Sequence, residues 1–321
     1  MLRLITVLVG SAWIASGAGS ASAQAYPGKP IRIVVTGAGS GGDFAARVIA
    51  QGVSSSLGQQ IIVDNRGSGN PPAEIVSKAP PDGYTLCLSA APLWITPFLR
   101  KTSYDPVKDF APVTLVITSP NILVVHPSLP VKSVKELIVL IRSKPGDLNY
   151  ATSGVGGSGF LAAELFKSMA RADMVRVNYK SGGLALTEVI SGQVHLMFAN
   201  AGAVASHLKS GRLKALAVTS AQPSVLLPGL PTVAAGGLPG YELVSVQGIF
   251  APAGTPETII ARLNKEIVPF LHRPDTKEKF FAAGVESLGS TPEQLAATVK
   301  SEMARLGKVI KAAGIVLDPE G

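Results

Sequence analysis

The sequence is poor in cysteine, aromatics and charge. Of its 321 residues, 6% are Phe, Trp or Tyr and 16% are Asp, Glu, Lys or Arg. Cys87 is the only cysteine, so no intrachain disulfide forms. Its setting, Tyr84-Thr85-Leu86-Cys87-Leu88, is that of a buried strand rather than of a thiolate nucleophile. The four histidines, His126, His195, His207 and His272, have neither metal-ligand spacing nor companion cysteines, and no metal or cofactor is expected. Ala38 stands where a G-x-S-x-G elbow around Ser40 would need its first glycine, which argues against a serine hydrolase. Glu74, Asp82, Asp105, Asp109 and Glu164 are too scattered to be paired for acid and base work. Lys and Arg give a formal net charge of +8 but form no basic stripe, and no nucleic-acid motif is present. The charge reads as solubility, with a bias toward anionic ligands.

Only the N-terminus is strongly apolar. Arg3 precedes an apolar run over 4–14, and small residues lead to Ala21-Ser22-Ala23. That order describes a secretory leader cut after Ala23. A spanning helix needs ~20 apolar residues, whereas Ser16, Gly17 and Gly19 interrupt this run early. Removing 23 residues from 321 leaves 298, and losing Arg3 lowers the charge from +8 to +7. A mature chain of that length, starting near Gln24, is expected to be exported and soluble, and suits two domains of ~100–200 residues.

Within it, short β-branched runs alternate with helical stretches, the pattern of βαβ units and mainly parallel sheets. Strands are predicted at 31–35, 61–63, 84–88, 113–117, 122–125, 148–151, 194–198 and 213–218. Ala45, Ile49, Val53 and Leu57 give one apolar helix face that Gly58 ends. Ser133 and Glu136 predict a capping box, with Lys144-Pro145-Gly146 closing that helix. Thr255-Pro256 and Thr291-Pro292 each predict a cap followed by proline in the first turn. Proline-punctuated extended stretches at 113–130 and 243–256 bracket a middle section with its own alternation. Two such crossings let the chain leave one lobe, build a second and return, which is hinge architecture with a ligand between lobes. The lobes are expected at 24–120 with 244–321, and at 121–243.

Two loops share one design: a strand, a run of small residues, then a helix. The first is Thr36-Gly37-Ala38-Gly39-Ser40-Gly41-Gly42-Asp43, and the second is Thr152-Ser153-Gly154-Val155-Gly156-Gly157-Ser158-Gly159. Glycines let backbone N–H groups converge on an anion at the positive end of the following helix. Either loop alone is equally well a tight turn, but two in opposite lobes could grip one acid from both sides. The first loop also satisfies G-x-G-x-x-G through Gly37, Gly39 and Gly42, with Asp64 about 22 residues later, so an exported NAD-dependent oxidoreductase is an alternative. Against it, no Tyr and Lys spaced by three residues accompanies the fingerprint, and Asp43 would set a negative charge near a pyrophosphate. Tyr179 and Lys180, ahead of Ser181-Gly182-Gly183, are either polar cleft groups or a solvated turn.

Further motifs run in order along nearly the whole mature chain. They include Tyr26-Pro27-Gly28-Lys29-Pro30-Ile31, Leu57-Gly58-Gln59, Pro81-Asp82-Gly83-Tyr84-Thr85-Leu86 and Asp109-Phe110-Ala111-Pro112-Val113. Tyr150-Ala151-Thr152-Ser153-Gly154, Val177-Asn178-Tyr179-Lys180, Pro239-Gly240-Tyr241-Glu242 and Ala251-Pro252-Ala253-Gly254-Thr255-Pro256 follow. Together these resemble the Bug family, the periplasmic solute-binding components of tripartite tricarboxylate transporters. The resemblance implies an α/β, two-lobed periplasmic-binding-protein fold of the Venus flytrap, type II-like kind. It further implies a monomer in the periplasm that holds a small di-, tri- or aromatic carboxylate, performs no catalysis and delivers its ligand to membrane permease subunits. Carried over by position, one lobe's site is Thr36 through Asp43 with Ser89 and Ala90. The other's is Ser153, Gly154, Gly156, Gly157, Ser158 and Gly159, with Tyr179, Lys180 and Asn200 as walls. The family usually has threonine at Gly157 and histidine at Phe160, so this chain offers more room and an apolar wall, compatible with a larger or aromatic acid. An extracellular sensor for a signalling partner is a third reading.

Overall fold

The computed structural model describes residues 26–38, 40–67, 71–154 and 156–312. The leader expected at 1–23 lies outside them, as do Gly39 and Val155 of the glycine loops.

The described residues begin with a βαβ arrangement of short strands, of which β1 and β3 are largely buried and β2 is half-buried with Ile62 exposed. Strand β1 (Ile31–Val35) leads to α1 (Gly41–Leu57), β2 (Ile61–Asn65), α2 (Pro71–Val76), β3 (Thr85–Ala90) and α3 (Pro92–Leu99). The strip Ala45, Ile49, Val53 and Leu57 is buried against the sheet, and Gly58 closes α1 at φ 74°, a conformation that favours glycine. β1 runs parallel to β2 on one side and to β3 on the other. Cys87 on β3 is fully buried, and burial drives its thiol pKa up.

The long strand β4 (Phe110–Val125) then carries the chain into the middle section. There follow α4 (Val134–Ser143), β5 (Asn149–Thr152), α5 (Ser158–Ala170), β6 (Val175–Asn178), α6 (Gly182–Ile190), β7 (Leu196–Asn200), α7 (Ala201–Lys209) and β8 (Lys214–Val218). Strand β9 (Val244–Pro252) returns, and α8 (Glu257–His272), α9 (Pro274–Ala282), β10 (Glu286–Ser287) and α10 (Pro292–Ala312) complete the described chain.

The sheet order is β2-β1-β3-β9-β4-β7-β5-β6, with β8 and β10 also paired to β4. Pairs at both outer parts are parallel, as the βαβ pattern predicts. Every pair that involves β4 or β9 is antiparallel, so the sheet as a whole is mixed. Residues Phe110 to Pro120 of β4 pair with β9, and Asn121 to Val125 pair with β7 and β8. The two strands predicted at 113–117 and 122–125 are therefore one. Proline lacks the ladder N–H, and the register slips beside Pro112.

Caps follow the sequence closely, with one correction. Ser133 Oγ accepts from Glu136 N–H at 3.2 Å and the Glu136 carboxylate accepts from Lys132 N–H at 2.7 Å. Thr291 and Gln294 cap α10 reciprocally, at 3.3 and 2.9 Å. Thr255, by contrast, is no cap: its hydroxyl donates to Pro252 O at 2.7 Å, and Pro256 itself occupies the cap position of α8.

Helices cover both faces. One core cluster packs α1 and α8 on β1, β3 and β9, and so closely that a Cβ on Gly52 would lie 2.0 Å from the Phe270 ring. The largest cluster continues from Trp94, Phe110 and Phe250 through Leu295 to Phe166, Phe198 and Tyr241. It joins α3 and α10 to α5 across the crossing strands.

His195, just before β7, fastens that strand to β5: its backbone N–H donates to Asn149 Oδ1 at 3.0 Å, and its Nδ1 lies 2.7 Å from the same oxygen. Burial lowers its pKa from 6.5. The unfolded chain therefore takes up this proton first as pH falls, so the contribution is intact above about pH 6.5 and is lost on acidification through the folded-state value. Chemical denaturation at pH 8 and pH 5.5 should show a smaller acid-side loss in His195→Gln than in the unaltered protein.

Candidate functional site

Both glycine loops emerge at the carboxyl ends of parallel strands, where helix N-termini face the cleft in open α/β sheets. In the first, Ser40 caps α1, its Oγ accepting from Asp43 N–H at 3.1 Å, while Phe44 N–H bonds to Ser40 O at 3.0 Å. Among the described residues, the first-turn donors left for an anion are the N–H groups of Gly41 and Gly42.

Asp43 is placed differently from the loop around it. Only 6% exposed, its Oδ1 accepts from Arg47 Nε and from Asn65 Nδ2, both at 2.9 Å. Arg47 Nη2 in turn donates to Asn65 Oδ1 at 2.9 Å, closing a ring of three side chains. The carboxylate thus ties the first turn of α1 to the end of β2. Ser89 and Ala90 end the neighbouring β3, paired with Gly248 and Gln247. The Gln247 carboxamide fills the space beside the two glycines: a Cβ on Gly42 would stand 3.1 Å from its Oε1, and one on Gly41 3.5 Å from its Nε2. Thr36, Gly37 and Ala38 span the gap from β1, half-buried to exposed.

In the second loop, Gly154 and Gly156 adopt φ of 121° and 90°, where other residues are strained. Gly157 occupies the cap position of α5 without a side-chain cap. Gly159 must be small, since a Cβ there would lie 2.4 Å from Phe198 O. That contact seats the first turn of α5 directly on β7.

A cavity of about 250 Å³ opens at this point. Its polar rim is Asn121, Thr152, Ser153, Gly157, Ser158, Gly182 and Asn200; its apolar wall includes Phe160, Leu186, Met197 and Phe198. The N-termini of three helices meet there: α5 at Gly157 and Ser158, α6 at Gly182, and α7 at Asn200. Each brings a partial positive charge, worth ~0.3–1 kcal/mol to a nearby anion and more when partly buried. No Lys, Arg, Asp or Glu lines the cavity.

Of the residues singled out from sequence, Ser153, Gly157, Ser158, Gly159 and Asn200 line this cavity, and Gly154 and Gly156 shape its loop. Tyr179 and Lys180 stand beside it: Tyr179 N–H donates to Thr152 O at 2.8 Å, and Lys180 is exposed. Asn121, Gly182 and Gln247 join the site without standing among the residues expected there. Asn121 had a signal, as a lone amide at the head of the apolar run Ile122-Leu123-Val124-Val125. Gly182 had a weaker one, following the Ser181 cap. Gln247 had none, because only the antiparallel pairing of β3 with β9 brings it to the first loop.

Comparison with known proteins gives concordant results. A model of the tripartite tricarboxylate transporter family receptor matches residues 45–315. Protein BugT of Bordetella pertussis is 33% identical over 323 residues, covering 99% of this chain and 98% of that protein. The R. palustris protein Rpa4515, in a structure with adipate, superposes with a TM-score of 0.80 at 38% identity, covering 91% of this chain and 99% of the other. MatC from Rhodopseudomonas palustris, with bound malate, gives a TM-score of 0.77 at 30% identity over 89% of this chain and all 100% of the other.

Removing the Ser40 hydroxyl should leave one buried donor of α1 unpaired. Ser40→Ala is expected to lower unfolding stability by about 1 kcal/mol, measured by chemical denaturation.

Proposed function

The chain belongs to the tripartite tricarboxylate transporter receptor family, whose members are periplasmic solute-binding proteins rather than enzymes, and from that premise we propose that it captures a small carboxylic acid between two lobes and delivers it to the permease subunits of such a transporter. The observation that carries this reading is the cavity at the meeting of three helix N-termini, lined by neutral donors and no charged side chain. An ionised carboxylate accepts hydrogen bonds only, and burying it demands that each oxygen be satisfied. Backbone N–H groups and the hydroxyl of Ser153 meet that demand. The G-x-G-x-x-G reading of the first loop gives way accordingly: Gly37, Gly39, Gly41 and Gly42 form half of a clamp for an acid, with Ser40 as cap and Asp43 as tether.

The two lobes are 24–120 with 244–321, and 121–243. Two observations support this division: β4 changes partners between Pro120 and Asn121, and β9 starts at Val244. The ligand bridges Thr36, Gly37, Ala38, Ser89 and Ala90 on one side and Ser153, Gly154, Gly156, Gly157, Ser158, Gly159 and Asn200 on the other, with Tyr179 and Lys180 at the rim. Because it binds both lobes only when they are together, it shifts the population toward the closed form, which the permease recognises. The protein acts as a monomer in the periplasm, exported by the leader that ends at Ala23. No helix among the described residues is long and apolar enough to cross a membrane.

The relatives solved with adipate and malate suggest the ligand class. A cavity near the lower end of the ~300–1,000 Å³ usual for ligand pockets suits one end of such an acid, and its apolar wall favours an aliphatic chain or ring behind the carboxylate. Calorimetry with adipate, malate, citrate and benzoate should show at least one binding the unaltered protein; heat from none of them contradicts the proposal. Gly157→Asp sets a negative charge at the α5 cap, where a side chain meets nothing within 4 Å. Acid affinity should fall tenfold or more while the unfolding temperature holds or rises, because Asp is a favoured cap.

A further inference from the structure

We propose that the side-chain amide of Asn121 is a direct donor to the ligand carboxylate, placing one ligand contact at the pivot between the two lobes. The inference rests on the reading of the cavity as an acid site.

Asn121 is 1% exposed, and its main chain is fixed on both sides. Its N–H donates to Thr219 Oγ1 at 2.8 Å, and its carbonyl accepts from Thr219 N–H at 2.9 Å, Thr219 being fully buried. These bonds anchor the residue to the body that carries β8. The side chain lines the cavity, with Ser158 Oγ donating to Oδ1 at 3.4 Å. Nδ2 is buried and has no partner. A buried amide donor without an acceptor is disfavoured, and here its residue lines the same cavity as the N-termini of three helices, two of them, α5 and α7, without a side-chain cap. The donors on that cavity, Asn121 Nδ2 and the helix first-turn N–H groups, are complementary to an acceptor-only anion.

The position in the chain adds the second part. Ser119, two residues earlier, belongs to the other body: its Oγ donates to Gly284 O at 3.2 Å and it pairs with Ser245 of β9. Along β4 the handover between bodies occupies Ser119, Pro120 and Asn121. A carboxylate on Asn121 is therefore held at the hinge itself, where closing motion displaces it least. The first loop can then swing onto the far end of an acid already seated.

Calorimetry with adipate and malate on Asn121→Ala and Asn121→Asp tests this. Loss of a donor to a charged acceptor should weaken binding ten- to hundredfold in Asn121→Ala. Asn121→Asp keeps the shape but opposes the ligand's charge, so it should weaken binding further at pH 7, which a packing role would not require. If the unaltered protein binds either acid and Asn121→Asp binds it within threefold, the inference is overturned. If it binds neither these acids nor any other, the acid reading fails and this inference with it. Should a variant not fold, the Asn121 side-chain amide signal in ¹⁵N NMR of the unaltered protein decides: it should shift on adding the bound acid, and an unmoved signal overturns the assignment.

Discussion

The architecture depends on the pairing of two antiparallel strands, β4 and β9. They run together from Phe110 with Pro252 to Pro120 with Val244, joining the βαβ arrangements at the two ends of the sheet. Backbone hydrogen bonds hold that ribbon, while Gly248 lets Leu295 of α10 sit directly on it; a Cβ there would stand 2.8 Å from Leu295 Cδ1. Beyond Pro120, β4 continues alone into the other body and takes β7 and β8 as partners. One strand thus changes partners between Pro120 and Asn121.

That geometry answers a problem of electrostatics. A closed cleft removes water from a charged ligand, and a single buried cation would repay this only by bringing a desolvation cost of its own. The chain instead offers peptide dipoles already fixed by the fold. Helices α5, α6 and α7 each begin on the same cavity. In the first loop the one carboxylate present, Asp43, is buried and bonded to Arg47 and Asn65. Its charge is spent on anchoring the helix whose first N–H groups face the cleft.

Much of this was legible in the sequence because it was local. The apolar strip of α1, the caps at Ser133 and Thr291 and the small-residue loops follow from spacing and from what glycine, serine and proline allow. Misread features depended on tertiary contacts. Strand β4 looked like two strands because Thr118-Ser119-Pro120-Asn121 interrupts its apolar pattern, yet the pairing with β9 runs on through Pro120. Thr255 looked like a cap, but its hydroxyl is taken by Pro252 O. Strand β6 escaped notice because Val175 and Arg176 are exposed and the segment is only 4 residues long. Gln247 is a polar residue in a strand, and nothing short of the sheet order shows that it borders a glycine loop.

The account makes closure around an acid its central claim. Small-angle X-ray scattering of the protein, alone and saturated with whichever of adipate, malate, citrate or benzoate it binds, measures that closure directly. The account predicts a smaller radius of gyration in the saturated sample. An unchanged scattering curve, with an open cleft at full occupancy, would contradict it.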